Sequence, residues 1–174
     1  STPAYKFDRN GDFQLWEPSD PGYDPNNIFR NRDARYFLPS ANEWYKAAFY
    51  DPVTNIWYDY PNGGNELPIP VASGTDPNTA VYAQPYGQGP ADIMLAGGLS
   101  PFGTMGQAGN VWEWEETEVD LVNDDPLANR GFRGSAWLGG GGSGISLSSS
   151  FRHHIRPPDG SGGGGDIGFR IASI

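Results

Sequence analysis

The sequence predicts a single α+β domain, rich in loops and low in regular secondary structure. Three observations carry that prediction. Its 25 glycines and 16 prolines make 41 of 174 residues, a share near that of low-complexity chains. Yet 6 Trp, 9 Tyr and 9 Phe are also present, and disordered chains lack so large an apolar content. Periodicity then marks one clear helix and only short strands.

The elements follow in chain order. Asp8, Asn10 and Asp12 alternate as calcium-loop ligands do, but Gly11 and Ser19 occupy the wrong places for that loop. The segment therefore reads as a polar hairpin turn between Phe7 and Phe13. Asp20-Pro21-Gly22 and Asp24-Pro25-Asn26-Asn27 are further turns. Over Pro39–Tyr50, Ser40 and Glu43 form a capping box, and Trp44, Ala47 and Ala48 make an apolar helix face. Leu38 can staple the entry, and Asp51-Pro52 ends the helix.

Residues 51–109 read mostly as loop, with a strong turn at Pro61-Asn62-Gly63-Gly64-Asn65. So long an irregular stretch implies ion binding, ligand binding or a covering role. Asn110–Glu116 reads as a strand with Trp112 and Trp114 facing the core, and Val111, Glu113 and Glu115 on the other face. The acids running on through Glu118, Asp120, Asp124 and Asp125 read as a solvated face, with a hard cation as the alternative. Ile167, Phe169 and Ile171 alternate as a buried terminal strand, and Arg170 is expected to pair with a carboxylate near the core. The expected core includes Trp44, Trp112, Trp114, Trp137 and Phe169.

The formal net charge of −10 is uneven. Residues 1–125 hold 19 acids and 6 bases, whereas residues 126–174 hold 2 acids and 5 bases. Such a surface repels a phosphate backbone, so nucleic acid is not an expected partner. Nor is a membrane span expected, since no apolar run has the required length. Cysteine is absent, which excludes disulfides, thiol nucleophiles and thiolate metal sites. The compartment stays open on that ground, an extracellular or cell-surface setting being favoured.

Three motifs in order carry a resemblance. They are Tyr36-Phe37-Leu38-Pro39-Ser40-Ala41-Asn42-Glu43-Trp44, then Gly109-Asn110-Val111-Trp112-Glu113-Trp114, then Arg133-Gly134-Ser135-Ala136-Trp137 followed by Gly168-Phe169-Arg170. Over roughly residues 30–172 of a single 1–174 domain, the chain resembles the sulfatase-modifying-factor family. The enzymatic members of that family are formylglycine-generating enzymes. The resemblance implies a C-type-lectin-like fold. It also implies a copper-binding cysteine pair after the Arg-Gly motif, but glycines fill Leu138–Gly144 here, so no copper and no oxidase chemistry are expected. It further implies structural calcium held by the carbonyls of Gly109 and Val111 and the side chain of Glu113. The family's earlier Asn ligand falls on Gly106, which weakens that site.

Three functions remain open. The chain resembles the variable proteins of diversity-generating retroelements, which keep this scaffold and randomise the surface between the last two motifs. Residues 138–174 contain no Lys, Gln, Glu, Met or Trp, the residues that codons ending in C cannot encode, whereas residues 1–137 contain 21 of them. The same tail also lacks Asn, which counts against an AAC template; a glycine-rich loop of skewed composition is the alternative. A binding module would display residues 138–167 to a protein or glycan ligand. Its expected contacts are Ile145, Leu147, Phe151, His153, His154, Ile155 and Arg156. The second function is a secreted structural domain that assembles with copies of itself, its acidic body meeting the basic tail. The third, an unorthodox formylglycine-generating oxidase, ranks last.

Overall fold

The computed structural model describes residues 2–138, 144–155 and 165–174; the side chains of His154 and Ile155 are outside that description. The expected hairpin forms first. Strands β1 (Lys6–Phe7) and β2 (Phe13–Gln14) pair with Phe7 opposite Phe13. Asp8 closes the turn by accepting from the backbone N–H groups of Asn10 and Asp12 at 2.8 and 3.0 Å. After β3 (Tyr36–Phe37), helix α1 (Ala41–Phe49) starts at the capping box. The Glu43 N–H donates to Ser40 Oγ, and the Ser40 N–H donates to Glu43 Oε2. The helix buries Trp44, Ala48 and Phe49.

Strands β4 (Tyr50–Asp51) and β5 (Ile56–Trp57) form a second hairpin. The long irregular stretch that follows holds β6 (Ile69–Pro70) and β7 (Thr79–Ala80), paired in parallel. It covers the core: Ala80, Val81 and Tyr82 are buried and join two of the core clusters. The Gly-Asn motif ties this stretch to the centre. Asn110 donates its N–H to the Val81 carbonyl at 2.7 Å and accepts the Ala91 N–H on Oδ1 at 2.7 Å. Gly109 is required there, because it has φ +76° and a Cβ would overlap the Val81 carbonyl oxygen.

The main sheet has four strands in the order β10 (His153–Ile155), β9 (Arg130–Arg133), β8 (Trp112–Glu118), β11 (Ile167–Phe169). Strands β8, β9 and β10 are antiparallel neighbours; β11 runs parallel to β8. Between the pairs Trp114–Phe132 and Glu118–Arg130, β8 advances four residues while β9 advances two. This bulge turns the carboxylates of Glu115 and Glu116 toward different neighbours. Strand β12 (Ala172–Ser173) closes the chain against β3. Among the described residues no helix is long and apolar enough to cross a membrane.

Several expectations are corrected. Trp44 and Trp137 are buried, but Trp112 and Trp114 are only half-buried. Phe169 is 64% exposed and Ile171 also faces solvent, because β11 is a sheet edge and ends before Ile171. The acidic run is a solvated face only in part: Asp120, Asp124 and Asp125 are exposed as expected, but the glutamates are not. Glu113, Glu115, Glu116 and Glu118 are each 1–3% exposed. Carboxylates are tolerated inside only when paired and hydrogen-bonded, and these are.

Candidate functional site

Each buried glutamate of β8 has its own partners. Glu113 receives Arg170 Nε and Nη2 at 2.5 and 2.6 Å, and the indole N–H of Trp44 at 2.7 Å. This is the expected Arg170 pair. It also bears on the calcium reading. Both Glu113 oxygens are engaged by an arginine fork and an indole, so this carboxylate faces a cation already built into the chain. Gly106 lacks a side chain, so the expected set would bring to a calcium ion the carbonyls of Gly109 and Val111 and this one, already ion-paired, carboxylate.

Glu115 receives Arg133 Nε at 2.8 Å and Arg152 Nε at 2.6 Å, one on each oxygen. Gly131 makes room for this: a Cβ there would overlap Arg152 Nη2 and Glu115 Oε2. Glu116 accepts from Tyr5 Oη and Asn27 Nδ2, with Arg30 Nε at 3.5 Å. Burial raises the Glu116 carboxyl above its ordinary value, against the opposing pull of Arg30, Asn27 and Tyr5. Burial raises Glu118 as well, opposed by the N–H groups of Asp125 and Asp124 that its Oε1 accepts. The basic tail thus meets the acidic body within one chain, through Arg133, Arg152 and Arg170.

These arginines also shape the surface. Arg133 Nη1 donates to the carbonyls of Phe151 and Ser149, and Arg152 donates to the carbonyls of Thr117, Glu118 and Val119. The segment 148–153 is therefore held down on the sheet. Over it the rings gather. His153 stacks on Phe132 at 4.9 Å, and Trp112 packs edge-on to Phe132 at 5.1 Å. Phe151 lies 6.1 Å from Trp112 and 6.0 Å from His153. Phe132 is buried beneath; Trp112 and Phe151 are half-buried and His153 is exposed.

The structure brings together only part of the expected contact set. Phe151 and His153 share the ring cluster. Ile145 is 60% exposed on the 3-10 turn Ile145–Leu147. Leu147 is corrected: it is 1% exposed and packs with Ala80, Tyr82 and Ala108 in the core, out of reach of a ligand. His154 and Ile155 pair through their backbone with Gly131 and Arg130, and their side chains lie outside the description. Arg156 lies outside the described residues, as do 139–143 and the rest of 156–164. Sequence reasoning missed Trp112 as a surface ring, and it missed Arg133 and Arg152 as anchors. The opposite charge of body and tail was the available signal.

Comparison with known proteins places this geometry. The sulfatase-modifying factor enzyme 1-like domain matches residues 21–173. The chain belongs to that family. Its α+β, loop-rich architecture is the C-type-lectin-like fold of formylglycine-generating enzymes. The fold is similar to Treponema denticola variable protein 1, with TM-score 0.61 and 19% identity over 98% of this chain and 62% of that one. CarF is a more distant likeness, with TM-score 0.48 and 20% identity over 84% of this chain and 51% of that one. The chain thus spans less than two thirds of either structure. No curated protein matches.

Proposed function

We propose that this chain is a noncatalytic ligand-binding module, with the face carrying Ile145, Phe151, His153 and Trp112 as its contact surface. The observation that supports this most is the division of labour around β8. A buried ion-paired layer fixes the backbone, and a half-exposed ring cluster sits above it. Aromatic rings on a rigid support are good contact chemistry for a protein or glycan, because little side-chain freedom is lost on binding. The absence of cysteine from the whole sequence supports a nonenzymatic role, since the family's oxidase chemistry needs thiolates. The likeness to a variable protein supports a diversified surface.

The test reads codons 138–170 across many individuals of the source population. Clustered variation, with Trp137 and Gly168-Phe169-Arg170 constant, is the expected result. An invariant segment removes the diversified-surface reading. In a second arm, a sulfatase peptide incubated with the protein and copper should keep its cysteine; conversion to formylglycine would overturn the nonenzymatic reading.

A further inference from the structure

We infer that the chain has a second binding site, remote from the proposed contact residues, for an uncharged ring compound. A cavity of about 470 Å³, within the usual size of small-molecule sites, is lined by residues of both the amino-terminal hairpin and the sheet. Tyr5, Phe7, Phe13, Phe29, Trp114 and Phe169 wall it. None of Trp112, Phe151, His153 and Ile145 contributes. Two of the wall rings, Phe7 at 59% and Phe169 at 64% exposure, face solvent although they belong to a continuous aromatic lining.

The charged groups and the tyrosine hydroxyl in the wall decide the ligand class, because they are already spent. Tyr5 Oη donates to Glu116 and accepts the Leu38 N–H at 2.8 Å. Glu115 is held by two arginines. Arg130 lies over the Phe29 ring at 4.2 Å and donates to the carbonyls of Ala128, Asp125 and Pro126. A charged ligand would therefore lose its hydration and find no free counter-charge. What stays open is ring surface. Phe13 meets Tyr5, Phe7 and Phe29 edge-on at 6.2, 5.9 and 5.3 Å, so each ring is fixed by another. Fixed rings offer faces and edges to a further ring at little ordering cost. The occupant is thus a neutral aromatic or fused alicyclic molecule.

The test uses the neutral fluorophore N-phenyl-1-naphthylamine with the full chain. Saturable binding of one probe per chain, with quenching of tryptophan emission, is expected. Leu38 also lines the cavity, and Leu38→Trp, which fills it, should weaken binding about tenfold. Phe7→Ser, on the exposed rim where folding is little affected, should weaken it about threefold. Phe151→Ala should leave it unchanged, and circular dichroism checks that each variant is folded. Three outcomes overturn the proposal: no saturable signal, affinity indifferent to both cavity variants, or a loss with Phe151→Ala equal to that with Phe7→Ser. Sedimentation adds a fourth. If the chain is a dimer that Phe7→Ser dissociates, the cavity holds a second copy.

Discussion

Strand β8 carries acids on one face and tryptophans on the other, and their burial is the reverse of what polarity suggests. Glu113 and Glu115 lie inside, whereas Trp112 and Trp114 stay half-open. The acids are inside because arginines from other parts of the chain meet them there. The tryptophans bridge inside and outside: Trp112 packs on buried Val81, Ala136, Trp137 and Phe132 with Phe151 and His153 beside it near the surface, and Trp114 meets Phe132. Burial in this sheet follows the supply of partners, and a residue's own polarity is the weaker guide. One face is a framework that cannot change piecemeal, and the other is a surface that can.

The contrast can be broken most severely at Glu115. Glu115→Ala leaves Arg133 and Arg152 buried without a counter-charge, and should cost about 3–5 kcal/mol in urea unfolding. A loss under 1 kcal/mol would mean the arginines find water or other acceptors. Leu147→Ala should cost about 3 kcal/mol, since a fully buried leucine leaves a cavity. Ser40→Ala removes one half of the capping box and should cost about 1 kcal/mol, read from the same unfolding curves.

Glu116 sharpens the comparison through pH. Its carboxyl is raised by burial above the ordinary 4.5, so the folded protein holds that proton more tightly than the unfolded chain. The stabilisation from this group is complete below the unfolded value and is lost as pH rises through the folded one. Glu116→Gln does not titrate. The stability of the variant relative to the native chain should therefore increase as pH rises above 4.5, and a difference independent of pH would refute the buried-carboxylate account. The smallest effect belongs to the surface. Ile145→Ala should change stability by no more than about 0.5 kcal/mol, although Ile145 lies two residues from Leu147.

The parts of the fold legible in the sequence are those set by local chemistry. Ser40 and Glu43 are three residues apart, and the turn between Phe7 and Phe13 closes on Asp8. Arg170 was legible as a paired residue because a charge in an otherwise apolar strand needs a counter-charge. The burial of Glu115 was not, because Arg133 and Arg152 are 18 and 37 residues away and only the pairing of β8, β9 and β10 brings them in. Leu147 and Ile145 look alike in a sequence; a single 3-10 turn sends one inward and one outward. Phe169 alternates like a core residue, yet its strand has a neighbour on one side only.

The grip of Arg133 on residues 149 and 151 has an evolutionary consequence. It holds peptide carbonyls, and every amino acid supplies the same carbonyl. Replacing Ser149 or Phe151 by another residue leaves the clamp with the acceptors it had before. A lineage could therefore rewrite the side chains along this stretch freely, generation after generation, without renegotiating how the stretch is attached.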